Sequence, residues 1–394
     1  MKRVFPLIKP LAALCLLSLT MPSQAEPQKV TTLAIGAKAP AFSLTGTDDK
    51  DYTLDSFRDA RFLVAIFTCN HCPDARASRD RINQFAKDYA KQGVQVVAIS
   101  SSSPKGLIIW ENAYSVYGDS FEEMKHVAKE HEYAFPYLYD GDKQEASLAY
   151  GAVATPHTFI FGPERTLLYQ GHFDNGRRDP GPASKNTVKD TIDALLAGKA
   201  VPIEKTRVFG CSTKWSWKSD LVEKYEAEWA KLPVTVGALD LALAKKLAEN
   251  KTDKMRLINL WSTTCGPCIA EFPMLVDTYQ RHQLRPFELI TISIDPKEDA
   301  EAVTKFIKKQ HLPISKKHTL KSVVAEGRSS NNYHYQGDDL DALAEAIDPE
   351  WQGPIPHTIL VAPGGKVVYR HTGQLDELAL RRAIIKAMEE AEIK

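Results

Sequence analysis

The stretch TPHTFIFGPERTLLYQG, residues 155–171, recurs as IPHTILVAPGGKVVYRH at 355–371. Pro-His-Thr, a second proline (Pro163, Pro363) and a tyrosine (Tyr169, Tyr369) each return after 200 residues. Cysteines separated by two residues stand at Cys69/Cys72 and Cys265/Cys268, 196 apart, so each pair precedes its Pro-His-Thr by about 90 residues. One order of signals met twice marks a duplicated unit. The fold must be one that can be built twice in 394 residues.

Each half reads as the same succession of elements. In the first, the apolar run RFLVAIF enters the cysteine pair and a helix is expected over 75–91. VQVVAIS reads as a strand, followed by helical stretches near 122–131 and 145–150, paired strands at 158–161 and 167–169, and a closing helix near 188–196. In the second, RLINLW leads into the cysteines and a helix to 283; FELITISI, a helix over 297–310, a hairpin over 358–369 and a helix over 376–390 follow. The alternation predicts an α/β protein of two tandem domains, each a central mixed sheet with helices on both faces. Their limits are placed at 30–217 and 234–394. Between them KSDLVEKYEAEWAKLP is charged, helix-prone and stopped by proline, so 218–233 is assigned as a linker. A continuous helix of about 15 residues there would be a spacer ~22 Å long.

The start of the chain carries Lys2, Arg3 and Lys9, an apolar run over 11–21, and then Ser23-Gln24-Ala25. That run is too short to span a bilayer, and the small residues suit a signal peptidase. Export is expected, with cleavage near Ala25, no retained membrane anchor and a periplasmic or otherwise extracytoplasmic location. Lipid attachment at Cys15 is disfavoured by the bulk of Leu14 before it. Removing three basic residues from a chain with 50 of each sign leaves the mature protein near −3. Nothing in that balance recommends nucleic acid or anionic lipid, and the run Lys308-Lys309 with Lys316-Lys317 reads as solvated surface.

Five cysteines remain, too few to staple a protein of this size in an oxidising compartment. Two C-x-x-C pairs and an odd Cys211 point to chemistry. Cys69-Asn70-His71-Cys72 is compatible with a redox couple, a metal cradle or a peroxidase centre. Three donors within four residues cannot surround an ion unaided, and neither pair is followed by the histidine of a haem attachment motif. A C-x-x-C between strand and helix supplies both an attacking thiolate and a resolving thiol. The positive end of the helix lowers the first thiol's pKa from ~8.5 into a range of about 3.5–7.5. On this reading Cys69 and Cys265 attack and Cys72 and Cys268 resolve. Redox-active disulfides Cys69-Cys72 and Cys265-Cys268 then serve in place of a cofactor, with no metal. Cys211 is a packed thiol or an accessory to the first pair.

The segments NLWSTTCGPCIAEFPML and EWQGPIPHTILVAPGGKVVYRHTG resemble those of TlpA-like thiol-disulfide oxidoreductases, which have the thioredoxin fold. The resemblance implies a supporting role for Trp261, an active-site acid at Glu271 and a cis proline at Pro356, with Ile355 before it binding a client chain. Thr264 stands where thioredoxins have tryptophan and Asn259 where they keep a buried acid, which puts proton transfer on Glu271. In the first half, IGAKAPAFSLTGTDDKDYTL, TCNHCPDA, FPYLYD and GCSTKW resemble the peroxiredoxin-like AhpC/TSA (redoxin) family, with Thr155-Pro156 as the corresponding cis element. The peroxidatic pattern P-x-x-x-T/S-x-x-C is absent. Counting back from Cys72, Ala65 and Cys69 stand at its proline and threonine positions; from Cys69, Phe62 and Ile66 do.

His71 precedes the second cysteine as in strongly oxidising DsbA-type proteins, whereas Gly266-Pro267 matches the reducing thioredoxins. Pairs of those two types differ by roughly 150 mV, or about 7 kcal/mol. The resemblance therefore implies an oxidoreductase exchanging disulfides with protein thiols outside the cytoplasm. Electrons would pass from Cys265/Cys268 to Cys69/Cys72, and a membrane thiol-reducing protein is a candidate donor. Two alternatives stay open: a thiol peroxidase recycled by the second domain, and a metal- or copper-handling protein using Cys69, His71 and Cys72.

Overall fold

The structure, a computed structural model, describes residues 29–391; the expected signal peptide at 1–25 lies outside them. Two runs rich in β-branched and aromatic residues, Phe62–Thr68 and Val94–Ser100, pair in parallel at the centre of the first sheet. Both are buried almost throughout, as near-continuous apolar strands require. Tyr137–Tyr139 extends the sheet in parallel on one side, and His157–Phe161 and Leu167–Gly171 extend it antiparallel on the other. Successive side chains serve two cores. Phe62, Val64 and Ile66 meet Ile82, Phe85, Val188 and Ile192 from helices Pro73–Tyr89 and Thr187–Leu196. Leu63, Ala65 and Phe67 meet Tyr150, Phe159 and Phe161 on the opposite face.

The second sheet repeats this plan with one strand more, in the order Gly237–Leu239, Asn332–Tyr335, Phe287–Ser293, Met255–Trp261, His357–Val361, Val367–Thr372. Both halves thus form the mixed sheets with flanking helices that the sequence predicts. The short strands at either end, the Ser43–Thr45/Asp51–Thr53 hairpin and the helices Leu241–Glu249, Thr319–Ala325 and Leu340–Ile347 go beyond it. Such elements are too brief to carry a clear periodicity.

The register of the duplication differs from the one the cysteines suggest. Strand, helix and next strand start at 62, 73 and 94 in the first half and at 255, 266 and 287 in the second, a constant offset of 193. The proline-bearing strand confirms it: Phe67 faces His157, and Leu260 faces His357. At that offset Cys72, not Cys69, is the counterpart of Cys265. Cys69 takes the place of Ser262, and Ala75 that of Cys268. The 196-residue spacing had equated pairs that are in fact displaced by three residues along the same junction.

Residues 218–233 also differ from expectation. A helix does form, Ser219–Trp229, but it is no free spacer. Trp229 is 5% exposed and packs with Met255, Leu257, Leu275 and Tyr279 in the second core. The halves touch directly through arginines of the second. Arg281 donates to the carbonyls of Asn112 and Ser115, Arg285 to that of Ala113, and Arg381 to that of Val116. Arg382 bonds Tyr117 and Glu130. Trp229→Ala should therefore cost about 3–5 kcal/mol in chemical unfolding of the full chain, as loss of a large buried aromatic does. A change within ~0.5 kcal/mol, typical of an exposed position, would restore the spacer reading.

Candidate active site

The first site forms where strand Phe62–Thr68 turns into helix Pro73–Tyr89. Cys72 is the cap residue of that helix, and Pro73 opens it where a missing N–H costs nothing. Across from it the Thr155-Pro156 peptide is cis, as is Ile355-Pro356 in the second half, matching the sequence expectation. Cys69 Sγ lies 3.1 Å from Thr155 Oγ1, and the Cys72 thiol is 3.1 Å from the Thr155 carbonyl. The N–H of Cys211 donates to Cys72 Sγ at 3.3 Å. All three cysteines are free thiols, with Cys69 4% and Cys72 0% exposed while Cys211 is half-buried.

Of the three thiols, Cys72 is the one shifted toward its thiolate. Its pKa is held far below the usual thiol range by hydrogen bonds from the Cys211 and Cys69 thiols, against burial, and by the N–H groups of Ala75 and Cys211. Burial and the hydrogen bond to Cys72 push Cys69 well up; its partnership with Cys72 likewise raises Cys211. The sequence expectation places the lowered pKa on Cys69; in the structure it is Cys72 that is shifted down and Cys69 up. The reason is the register: Cys72 sits at the helix N-terminus and receives the Cys211 N–H, whereas Cys69 lies a turn earlier, beside the Thr155 hydroxyl and the His71–Asp119 pair, whose carboxylate opposes a second negative charge.

His71 is 1% exposed. Its Nδ1 bonds the Asp119 carboxylate, and its Nε2 faces Cys69 Sγ at 4.0 Å. Burial pushes the imidazole's pKa down, but the charge of Asp119 and its hydrogen bond outweigh this and hold it above the ordinary value. Asp119 also accepts from the N–H groups of Asn70 and His71. Asn70 is fixed further by Gly118, Ser115 and Tyr137. Cys69, His71 and Asp119 bring three donor atoms within 4.8 Å of one another. These three donors are one short of a tetrahedral set, and because the Asp119 oxygens also hold Nδ1 and two N–H groups, an ion there would compete with the contacts that fix His71.

The second site is built alike but open. Cys265 caps helix Gly266–His282, its Sγ accepting from the Cys268 N–H at 3.2 Å, and the two cysteines form a disulfide. Cys268 is buried while Cys265 is half-buried and Thr264, Gly266 and Pro267 are exposed. Trp261 is fully buried beneath them against Phe272 and Phe306, a packing role. Glu271 is buried one turn past Cys268, which raises its pKa; the Leu375 N–H and the Asn259 amide counter that at 3.1 and 2.9 Å. The neutral residue on the strand thus hydrogen-bonds the acid on the helix. His157 and His357 are buried and hydrogen-bonded, to Gln170 and to Asp348 and Thr372.

Sequence reasoning missed Asp119, 48 residues from its histidine and in no motif. The one available signal was the need of a buried imidazole for a partner. Replacing Asp119→Asn keeps an acceptor for the two N–H groups but removes the charge. The NMR titration midpoint of His71 should then fall below that of the unsubstituted protein, and an unchanged midpoint would show that the carboxylate does not set it.

Comparison with known proteins follows this geometry. Residues 35–170 match the AhpC/TSA family and residues 238–385 match Redoxin. Thiol-disulfide oxidoreductase ResA of Bacillus subtilis is 26% identical over 122 residues, 30% of this chain and 54% of that protein. Thiol:disulfide interchange protein DsbE of Yersinia pestis is 25% identical over 148 residues, 37% and 68% of the two chains. A Mycobacterium tuberculosis protein carrying a peroxiredoxin name is 27% identical over 124 residues, 32% and 68%. A solved structure of a hypothetical protein from Sinorhizobium meliloti is 33% identical, covering 47% of this chain and 97% of its own, with a TM-score of 0.42. The chain spans about half the length of the two ResA proteins it matches. This chain is a tandem thioredoxin-fold protein, an AhpC/TSA-type half followed by a Redoxin-type half.

Proposed function

We propose that the chain is a thiol-disulfide oxidoreductase with two redox centres, Cys69/Cys72 and Cys265/Cys268, acting on protein thiols and disulfides. The observation that carries this reading is the repeated cap position. In each half one cysteine, Cys72 or Cys265, ends a strand-to-helix turn with N–H groups aimed at its sulfur and a second cysteine three residues away. That is the arrangement which makes one thiol a nucleophile and the other its resolver.

In the reducing direction the Cys72 thiolate attacks a partner disulfide, forming a mixed disulfide and releasing one partner thiolate. Cys69, giving its proton to His71, then attacks Cys72 Sγ; the Cys69–Cys72 bond forms and the second partner sulfur leaves. Oxidation of a client is the reverse. The thiol and N–H groups gathered on Cys72 favour its thiolate and so the reduced form, which makes this pair the more oxidising of the two. The names of the ResA and DsbE relatives support the same chemistry. The basic, apolar and small-residue sequence of 1–25 supports action outside the cytoplasm, and among the described residues no helix is long and apolar enough to cross a membrane.

Direct exchange between the two pairs requires movement. Cys265 caps one end of helix Gly266–His282, and Arg281, which grips the first half, lies at the other, ~24 Å along the axis. Electron passage from Cys265/Cys268 to Cys69/Cys72 therefore needs the arginine contact to open.

Insulin-disulfide reduction by the full chain tests the function. Cys72→Ser and Cys265→Ser should each remove the turnover of their own centre, and a double variant with undiminished activity would sink the proposal. Reduction potentials from the two pair-knockout chains should differ by roughly 150 mV, the first pair the higher. A gap under about 30 mV would leave no driving force for internal transfer. Rapid peroxide consumption with no protein-disulfide activity would favour the peroxidase alternative instead.

A further inference from the structure

The segment that carries Cys211 occupies the place where a client would lie. Cys211–Ser212 forms a two-stranded antiparallel pair with Ala154–Thr155, in which Cys211 is directly opposite Thr155. Thr155 is the residue before Pro156, whose counterpart Ile355 was assigned above to client binding. No strand pairs with Ile355 among the described residues, so the second half keeps that edge open. In the first half the chain itself fills it.

The fit is close. A Cβ on Gly210, at φ +120°, would stand 2.0 Å from the Thr155 carbonyl, so only glycine lets the strand approach this far. Beyond Cys211 the segment is anchored: Thr213 donates to the Ala152 carbonyl at 2.6 Å, and the Lys214 carbonyl accepts from Ser103 and Gln144. The Cys211 N–H meets Cys72 Sγ and the two thiols hydrogen-bond each other. Cys69 and Cys72 are buried beneath this strand and the 112–119 loop, and of the three sulfurs only that of Cys211 belongs to a half-exposed residue.

We infer that Cys211 is a built-in client thiol and the port through which the buried Cys69/Cys72 pair exchanges disulfides with outside proteins. The inference rests on the thiol-disulfide reading of the first site. Starting from the Cys69–Cys72 disulfide, in which Cys72 no longer holds the Cys211 proton, half-exposed Cys211 loses that proton to solvent and its thiolate attacks Cys72 Sγ. The Cys72–Cys211 bond forms, the Cys69–Cys72 bond breaks, and Cys69 leaves with a proton from His71. A thiolate of an external protein dithiol then attacks Cys211 Sγ, and Cys72 departs as the thiolate that its N–H partners hold. The dithiol's second sulfur completes its own disulfide and frees Cys211. Two electrons pass from the external dithiol to the chain; run backwards, the relay reduces a client, with Cys211 making the attack on the client that was written above for the buried Cys72.

Two variants of the full chain, with the second centre silenced by Cys265→Ser/Cys268→Ser, test this. Cys69→Ser, equilibrated in a glutathione buffer and mapped by non-reducing mass spectrometry, should show Cys72 linked to Cys211. Cys72 capped by glutathione beside a free Cys211 would overturn the inference. Cys211→Ser should still form the Cys69–Cys72 disulfide but exchange it with a reduced protein dithiol at least tenfold more slowly, and Cys211→Ala should behave alike. An unchanged rate in both would also overturn it. If the Cys69–Cys72 disulfide never forms in a chain with all three cysteines, the underlying function fails with it, an outcome readily told apart from failure of Cys211 alone.

Discussion

The backbone register that sets Phe67 opposite His157 decides almost everything about the first site. It fixes how far the chain runs past the sheet before the helix begins, and so which residue becomes the helix cap. That residue is Cys72, and the Thr155 carbonyl then lies 3.1 Å from its sulfur. A slip of one residue would turn each strand side chain to the other face and exchange the two cores. The sulfur chemistry is thereby tied to the most strongly specified part of the fold. The local sequence around the cysteines has little freedom to alter it.

The same register in the second half produces a site of opposite character. Cys265 stands in the cap position of Cys72, yet its surroundings are exposed whereas those of Cys72 are covered. Two segments cover the first site: the 112–119 loop, which supplies Asp119 and secures Asn70, and the strand bearing Cys211; in the second half Asp295 likewise accepts from the Thr263 N–H, but no strand pairs with Ile355 among the described residues. The loop is in turn held by Arg281, Arg285 and Arg381, whose guanidinium groups donate to its backbone carbonyls. Charge-assisted bonds of this kind are among the stronger available, and in a buried interface they fix backbone positions. Opening of the first site and separation of the two halves are therefore physically linked. Duplication supplied two equal junctions, and the covering segments made them unequal.

Much of this was legible in the chain. The central strands read as short apolar runs and the long helices as 3.6-residue patterns, and the Pro-His-Thr repeat located both cis prolines and the hairpins that follow them. What failed was the equivalence of the two C-x-x-C pairs. Spacing along the chain counts residues, whereas equivalence in the fold depends on where each helix begins, and Pro73 starts one helix after its second cysteine while Gly266 starts the other after its first. The role of 218–233 was hidden for a related reason: Trp229 looks like one apolar residue in a charged helix until Tyr279 and Leu275 are brought against it.

By itself the sequence determined the duplicated α/β plan, the two cysteine pairs and the placing of histidine beside one of them. These are properties of pattern and composition, local enough to read in order. Tertiary structure alone decided which thiol is shifted toward its thiolate, that Asp119 holds His71, and that Cys211 meets Cys72 across the edge of Thr155. Each of these depends on groups 48 to 139 residues apart in the chain arriving within hydrogen-bonding distance. No run of residues encodes that proximity; only the packed sheets and helices create it. The stretch Cys69-Asn70-His71-Cys72 names the chemistry, and the elements folded around it assign the parts.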